Sequence, residues 1–421
     1  MLSRGRPLAV PADADTGAKA EMSPKSEREK PSSVRLLQVV GARPQFVKLA
    51  PVCRAIGAAN ARGEQIKSII VHTGQHYDPG MSDVFFDELD IPQADVHLGI
   101  GSGSHGLQTG RMLERLEAVL IERRPHVVLT YGDTNSTLAA TLAAAKLHLP
   151  VAHIEAGLRS FNRRMPEEVN RIVADHLSDL LFAPTPEAMQ NLEKEGLRGR
   201  ARQVGDVMLD AIRFHAVAAR SRSRVLERLG LTKGGYLVAT LHRAENTAVD
   251  RLATLLEALA RLAAADRPLV LSLHPRTANA IRESGIGLPD AAGLRVVAPL
   301  SYLDMIQLVG NARIVLTDSG GLQKEAFFLG RPCITLRNET EWVETVSGGG
   351  NIVAGTEIQE IVDATAHWDK QLATGEPDFS AAVVRAFGDG QASAKIVAHT
   401  MDYLANHASE RSHGEARGAT S

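Results

Sequence analysis

Short runs of apolar residues alternate along this chain with stretches in which apolar positions recur at helical spacing. The runs Val34–Val40, Ile66–Val71, Val127–Tyr131, Val151–Glu155 and Leu180–Ala183 are apolar at nearly every position. A strand apolar on both faces belongs in a parallel sheet covered by helices on both sides. A second series follows at Tyr236–Leu241, Leu269–Leu273, Leu294–Val297, Ile314–Thr317 and Cys333–Leu336, with helices such as Arg251–Ala264 between the runs. Two consecutive βαβ sets predict an α/β protein of two doubly wound domains, 34–207 and 208–387. The break is expected near Val204–Asp210, ahead of a basic helical stretch, Arg213–Gly230. Gly388-Asp389-Gly390 then punctuates a final helix, about Gln391–Leu404, within segment 388–405. Residues 1–33 and 406–421 are rich in small and charged residues without a period, which predicts a disordered extension and tail.

Composition removes several classes. At 421 residues the chain exceeds one ordinary core, which agrees with two domains. A formal net charge of −2 offers no field to recruit nucleic acid or an anionic membrane. No apolar run reaches the roughly 18 residues that a membrane span needs. Residues 1–33 lack an apolar core and carry Asp13, Asp15, Glu21, Glu27 and Glu29, so neither a secretory signal nor a transit peptide is expected. Two cysteines, Cys53 and Cys333, make no disulfide framework, and reduced core thiols fit the cytoplasm. There is no dinucleotide fingerprint, no Walker sequence and no zinc spacing, so no cofactor or metal is expected. A Mg²⁺ at Asp133 is conceivable, but nothing requires it.

In such sheets ligands bind beyond the carboxyl ends of the strands, and the chemically distinctive residues sit there. Strand Ile314–Thr317 runs into Asp318-Ser319-Gly320-Gly321 and then a helix, Leu322–Leu329. A Ser-Gly-Gly turn at a helix N-terminus offers unpaired N–H groups, close approach and a favourable dipole for an anion. Glu325, one turn in, can accept two hydrogen bonds from a ribose diol. The plainer alternative is a capped helix with Gly for tight packing. His242-Arg243 follows one strand and His274-Pro275-Arg276 another, adding candidate phosphate cations. Taken singly, each would more often be a surface or capping residue.

The first domain carries acids at the equivalent place. Asp133 follows Val127–Tyr131 in Gly132-Asp133-Thr134-Asn135, and Glu155 ends the next strand. A loop with Arg159, Arg163 and Arg164 leads to Pro166-Glu167-Glu168, and the first loop, Gly41-Ala42-Arg43-Pro44-Gln45, brings Arg43 and then Lys48. Clustered carboxylates near cations can have their proton affinities pushed apart, giving one acid and one base. Asp133 or Glu167 alone would read as a helix cap or first-turn acid; the three together point to chemistry.

These segments occur in order with His72-Thr73-Gly74-Gln75-His76-Tyr77-Asp78, Met165-Pro166-Glu167-Glu168-Val169-Asn170-Arg171 and Thr240-Leu241-His242-Arg243-Ala244-Glu245-Asn246. As a set, over about Val34–Leu404, the chain resembles the non-hydrolysing UDP-N-acetylglucosamine 2-epimerases. The resemblance implies two facing Rossmann-like domains of GT-B type with the last helix crossing back to the first domain. It implies interconversion of UDP-GlcNAc and UDP-ManNAc through loss and re-addition of UDP, without nicotinamide, in a homodimer that supplies envelope or capsule polysaccharide. Asp133, Glu155 and Glu167 match acid/base positions. His242 matches a catalytic or phosphate-side position, Arg43 and Lys48 active-site cations, and Ser319, Gly320 and Glu325 UDP contacts. Gln75, His76 and Arg243 match positions linked to a second, activating UDP-GlcNAc. One departure is Thr340-Glu341-Trp342-Val343-Glu344, where many members have Arg-Pro in the middle. With Asn135-Ser136-Thr137 and Gly205-Asp206-Val207-Met208 it resembles the branch acting on UDP-2,3-diacetamido-glucuronate, whose carboxylate Arg163 or Arg164 would meet. The competing readings are a GT-B glycosyltransferase and a non-catalytic nucleotide-sugar sensor; the acid cluster favours the epimerase.

Overall fold

The computed structural model describes residues 33–75 and 86–418. Its strands are β1 (Val34–Val40), β2 (Ile66–His72), β3 (Val96–His97), β4 (Val127–Tyr131), β5 (Val151–Ile154), β6 (Leu180–Ala183) and β7 (Ala201–Gln203), then β8 (Leu237–Leu241), β9 (Leu269–Leu273), β10 (Leu294–Val297), β11 (Ile314–Thr317), β12 (Cys333–Thr335) and β13 (Asn351–Val353). Among the described residues the first group forms a seven-stranded sheet, β3-β2-β1-β4-β5-β6-β7, and the second a six-stranded sheet, β10-β9-β8-β11-β12-β13. All pairings are parallel, with Val34 opposite Ile66 in one sheet and Leu237 opposite Leu269 in the other. These are the two doubly wound, Rossmann-like sheets that the apolar runs predict.

Burial explains the pattern. Leu36, Leu37, Val39 and Val40 of β1 are all inaccessible, as are Val315 and Leu316 of β11, so neither face of the central strands meets water. The strand order reverses between β1 and β4 in one sheet and between β8 and β11 in the other. Each reversal opens a crevice at the carboxyl ends. The loops after β1, β4, β8 and β11 are therefore the ones positioned for a ligand.

The halves are tied in two ways. The Val207–Arg222 helix is capped by Asp206, whose backbone N–H donates to the carbonyl of Phe387. The Ala392–Gly418 helix begins on Asp210, whose carboxylate accepts from the Ala392 N–H, the Ser393 N–H and the Ser393 hydroxyl at 2.6–3.2 Å. From there Ile396 and Val397 enter the core of the first half beside Leu49 and Val52 of the Arg43–Ala61 helix, so the last helix does cross back.

Where expectation and structure differ, the causes are local. The strands β3, β7 and β13 are only two or three residues long, with exposed or half-buried positions, and carry no apolar run long enough to betray them. The anion-site helix starts at Gly320, not Leu322, because the Ser319 hydroxyl accepts from the Leu322 N–H and draws both glycines into the first turn. The stretch Arg213–Gly230 breaks in two at Ser223, between helices Val207–Arg222 and Val225–Leu229. The last helix continues to Gly418, past the expected start of the tail, through a segment rich in Ala, Glu and Arg, which favour helix. Cys53 and Cys333 are free thiols, and burial pushes the Cys53 thiol up to about 11. Among the described residues, no helix is long and apolar enough to cross a membrane.

Candidate active site

The residues expected to hold phosphate gather at the β8/β11 reversal. Asp318, fully buried at the end of β11, accepts from the backbone N–H groups of His242 and Arg243 and from His242 Nδ1 at 2.9 Å. Burial pushes the Asp318 carboxyl up, but the His242 hydrogen bond and those N–H groups outweigh it and hold the group below the usual range. The loop after β8 is thus tethered to the loop after β11. With Ser319 committed to Leu322, the N–H groups of Gly320 and Gly321 open the helix without intrahelical acceptors. A Cβ at Gly320 would overlap the Glu341 carboxylate, so a larger residue would push that side chain off the turn.

The cations arrive differently from expectation. Arg243 donates to Glu341 at 3.2 Å, and Arg337 takes the other oxygen of Glu341 at 2.8 Å, so Arg243 is engaged across the turn rather than free. His274 caps the Pro275–Ser284 helix, its Nδ1 accepting from the Arg276 N–H at 3.2 Å, while its ring lies 5.6 Å from that of His242. Burial first, then His242, Arg276 and Arg43, push the His274 imidazole down to about 4. The ring is exposed, and its visible role here is the helix cap. Arg276 donates to the His242 carbonyl at 3.2 Å and helps fix that loop.

Arg43, the first residue of its helix, reaches from the first half toward Glu325 and Tyr302 of the second. Burial draws its guanidinium below the usual value, with Glu325, Glu88 and Tyr302 opposing. Glu325 is buried, and that burial pushes its carboxyl up to about 7 against the pull of Arg43 and Lys324. The Tyr302 hydroxyl is buried beside the Glu325 carboxyl.

The acid side forms at the β1/β4 reversal. Glu155 follows β5 with a left-handed φ of 74°, a strained conformation that non-glycine residues retain chiefly at functional sites. Its carboxylate is gripped by the ammonium of Lys48 on one oxygen and by that of Lys324, at 3.1 Å, on the other. Burial pushes this carboxyl up, but the two ammonium groups overcome it and hold it at about 2. Gly132, at a φ of 62°, lets this pair in: a Cβ there would lie 2.9 Å from Lys48 Nζ and 3.1 Å from Glu155 Oε2. Beneath it, His153 spans the Gly132 carbonyl and the Asp175 carboxylate, each at 2.7 Å.

Asp133 is partly exposed and pairs with Arg171 at 2.6 Å, while Asn170 donates to the Asp133 carbonyl at 2.9 Å. Both partners lie on the Pro166–Leu177 helix, which also carries Glu167. Glu167 is partly buried and, among the described residues, has no hydrogen bond or ion pair. Its neighbour Glu168 is structural: it accepts from Ser160 and Phe161 N–H groups at 2.9 Å and from Arg171. Arg159 is consumed by Asp175 and Glu195, both at 2.7 Å, and Arg163 and Arg164 are exposed on the loop. Gln75 accepts from the Ser136 N–H and hydroxyl at 3.0 and 2.8 Å and so pins the helix after Asp133. His76 lies outside the described residues.

Sequence reasoning overlooked Lys324, Asp206 and Asp318. Lys324 is 1% exposed and pairs with Asp206 at 2.6 Å as well as with Glu155, its ammonium 3.6 Å from the Trp342 ring centre. At the level of sequence Leu322-Gln323-Lys324-Glu325 has the look of a polar helix face, and only the packing of the two sheets buries this cation and forces it to be paired.

The comparisons agree with this geometry. A family model described as UDP-N-acetylglucosamine 2-epimerase matches residues 58–401. The chain is 47% identical over 384 residues to the UDP-2,3-diacetamido-2,3-dideoxy-D-glucuronate 2-epimerase of Pseudomonas aeruginosa, covering 88% of this chain and 99% of that protein. It is 41% identical over 338 residues to the UDP-N-acetylglucosamine 2-epimerase of Methanocaldococcus jannaschii, covering 79% and 91%. The crystal structure of a Methanocaldococcus jannaschii UDP-GlcNAc 2-epimerase with UDP-GlcNAc and UDP matches with a TM-score of 0.78 at 38% identity, over 88% of this chain and all of that one. The Neisseria meningitidis UDP-GlcNAc 2-epimerase bound to UDP-GlcNAc gives 0.77 at 29%, over 87% and 99%. Fold, site and likeness converge: the chain belongs to the UDP-N-acetylglucosamine 2-epimerase family.

Proposed function

We propose that this protein inverts C2 of a UDP-linked 2-acetamido sugar, interconverting UDP-GlcNAc and UDP-ManNAc without a cofactor. The observation that carries the reading is the meeting of two ends: Lys324, from the helix that opens at the Ser319–Gly321 turn, holds Glu155 at the tip of β5. A diphosphate on the helix end would thereby lie within one crevice with the acids.

The chemistry follows from that placement. One carboxylate takes the C2 proton, the C2–H electrons form the C1=C2 bond, and the C1–O bond breaks to release UDP and 2-acetamidoglucal. Protonation of C2 from the other face, with return of the UDP oxygen to C1, gives the epimer. The C2 proton is weakly acidic, so removal must accompany departure of the diphosphate. The added charge on the departing UDP is met by the N–H groups of Gly320 and Gly321, by His242 and by Arg43. Asp133, Glu155 and Glu167 are the candidate proton carriers, and Glu325 the ribose acceptor.

The 47% identity to the P. aeruginosa enzyme, with Trp342 buried against Lys324, favours UDP-2,3-diacetamido-glucuronate as a second reading of the substrate. In that case Arg163 or Arg164 would meet the sugar carboxylate. The same proposal makes the protein a cytoplasmic homodimer that feeds polysaccharide synthesis and takes a second UDP-GlcNAc as activator near Gln75. Sedimentation tests the dimer, and a sigmoidal rate curve the activator. The deciding experiment is incubation with each UDP-sugar in D₂O, read by NMR. Deuterium entering C2 with the manno product supports epimerisation, and the substrate that exchanges faster settles the branch. Absence of exchange with both, without an added acceptor, would sink the reading.

A further inference from the structure

A buried charge network crosses between the two sheets at the site, and the chemistry above uses only its carboxylate Glu155. Its order is Lys48, Glu155, Lys324, Asp206, with Lys324 and Asp206 each almost wholly shielded from water. Buried ion pairs are weak contributors to stability, since well-packed apolar residues often serve as well or better. Four shielded charges placed between the phosphate helix and the acid cluster therefore call for a role other than holding the fold.

We propose that Lys324 is a positioning residue for the proton transfer: from the helix whose first turn faces the diphosphate, its ammonium fixes the Glu155 carboxylate, ionised, at the tip of β5. This rests on the epimerase reading. Lys48 holds one oxygen of Glu155 from the first half, and Lys324 holds the other from the second, so the carboxylate cannot swing without breaking a shielded pair. Trp342 closes over the ammonium and excludes water from it. The strained φ of 74° at Glu155 needs such a restraint on its side chain. The charged groups around the pair are few. Lys48 and Lys324 face Glu155 directly, Asp206 faces Lys324 from the start of the Val207–Arg222 helix, and Glu325 and Glu344 lie within electrostatic reach of Lys324. On the strand side His153 is turned away, toward Gly132 and Asp175.

The test uses the full chain with K324M, K324R and D206N, reading C2 exchange by NMR across pH and UDP affinity by calorimetry. Removal of one of two opposite charges raises a carboxylate by about one to three pH units, so K324M should lose exchange increasingly toward the acid side. We expect its kcat to fall at least about tenfold while UDP affinity stays within about threefold, since an interaction made with the acid alone appears in turnover and not in binding. K324R, which keeps the charge, should restore the acid side. A K324M protein with the kcat and pH dependence of the wild type overturns the proposal. If K324M does not fold, judged by UDP-dependent melting, the other two variants decide. The proposal requires K324R to keep the wild-type acid side, and D206N, which removes the second partner of Lys324 but leaves its charge on Glu155, to keep the wild-type pH dependence even where its kcat falls; loss of exchange toward the acid side in either variant overturns it. Wild-type protein that exchanges nothing sinks the epimerase reading instead, which separates the two failures.

Discussion

The phosphate end and the acid end of the crevice are built on opposite plans. The phosphate end uses main chain and neighbours: Ser319 caps its own helix three residues on, and Asp318 gathers the N–H groups of the adjacent loop. Its candidate cations are largely spent on structure, with Arg243 on Glu341 and His274 on a cap. The acid end is assembled from pairs far apart in sequence, 107 residues for Lys48 with Glu155 and 169 for Lys324 with Glu155. An anion is awaited by preformed N–H dipoles, which cost little to keep unpaired at a helix end. A carboxylate that must hold one orientation in a water-poor crevice has to be held by charges.

Glu155→Gln breaks the acid plan most severely. It strips two shielded ammonium groups of their partner, a loss of about 3–5 kcal/mol for a buried pair. It should also cut C2 exchange by about 10²–10⁴, the usual contribution of an acid/base group. Because the phosphate end lies on the other sheet, UDP binding measured by calorimetry should survive; exchange at the wild-type rate would remove Glu155 from the chemistry. Glu167→Gln sharpens the point. Glu167 has no hydrogen bond or ion pair among the described residues, so its loss should leave the unfolding free energy within about 0.5 kcal/mol of wild type. Exchange should still fall by about 10²–10⁴. A Glu167→Gln protein that exchanges normally leaves Asp133 and Glu155 as the only proton carriers.

Glu325 probes where the two plans touch. Its folded carboxyl lies at about 7, above the ordinary value of 4.5. The folded state therefore holds a proton that the unfolded chain has lost, and the associated stability is fully present below about pH 4.5 and lost as pH rises through 7. At about 1.4 kcal/mol per unit this amounts to roughly 3 kcal/mol. Glu325→Gln cannot ionise, so in thermal unfolding of the ligand-free protein the decline between pH 5 and 8 should flatten. An unchanged slope would mean that Arg43 already keeps Glu325 ionised.

The same contrast marks what the sequence could disclose. Apolar runs disclosed the long strands, and their ends disclosed where Asp133, Glu155, His242 and Ser319 would stand, because topology alone fixes that edge. The two- and three-residue strands had no run to show. Nor could spacing reveal that Lys324 reaches Glu155, since the pair depends on how two sheets face each other. For His274 the structure shows a cap: a His before Pro at a helix start satisfies an N–H locally.

The smallest effect belongs to Ser319. Its hydroxyl accepts the Leu322 N–H at 3.4 Å, a long bond in a first turn that also contains two glycines. Ser319→Ala removes the cap at a cost of about 1 kcal/mol, read as a small drop in melting temperature. UDP should still bind, because the N–H groups of Gly320 and Gly321 are main chain and remain. Ser319→Asp makes the sharper comparison. Aspartate caps as well as serine, so the melting temperature should stay near wild type, yet its charge would occupy the position offered to the diphosphate. UDP affinity should then fall further than in Ser319→Ala, and the gap between the two variants should narrow in high salt. If Ser319→Asp binds UDP as tightly as Ser319→Ala, the diphosphate does not sit on this helix end and the division of labour between the two sheets is wrong.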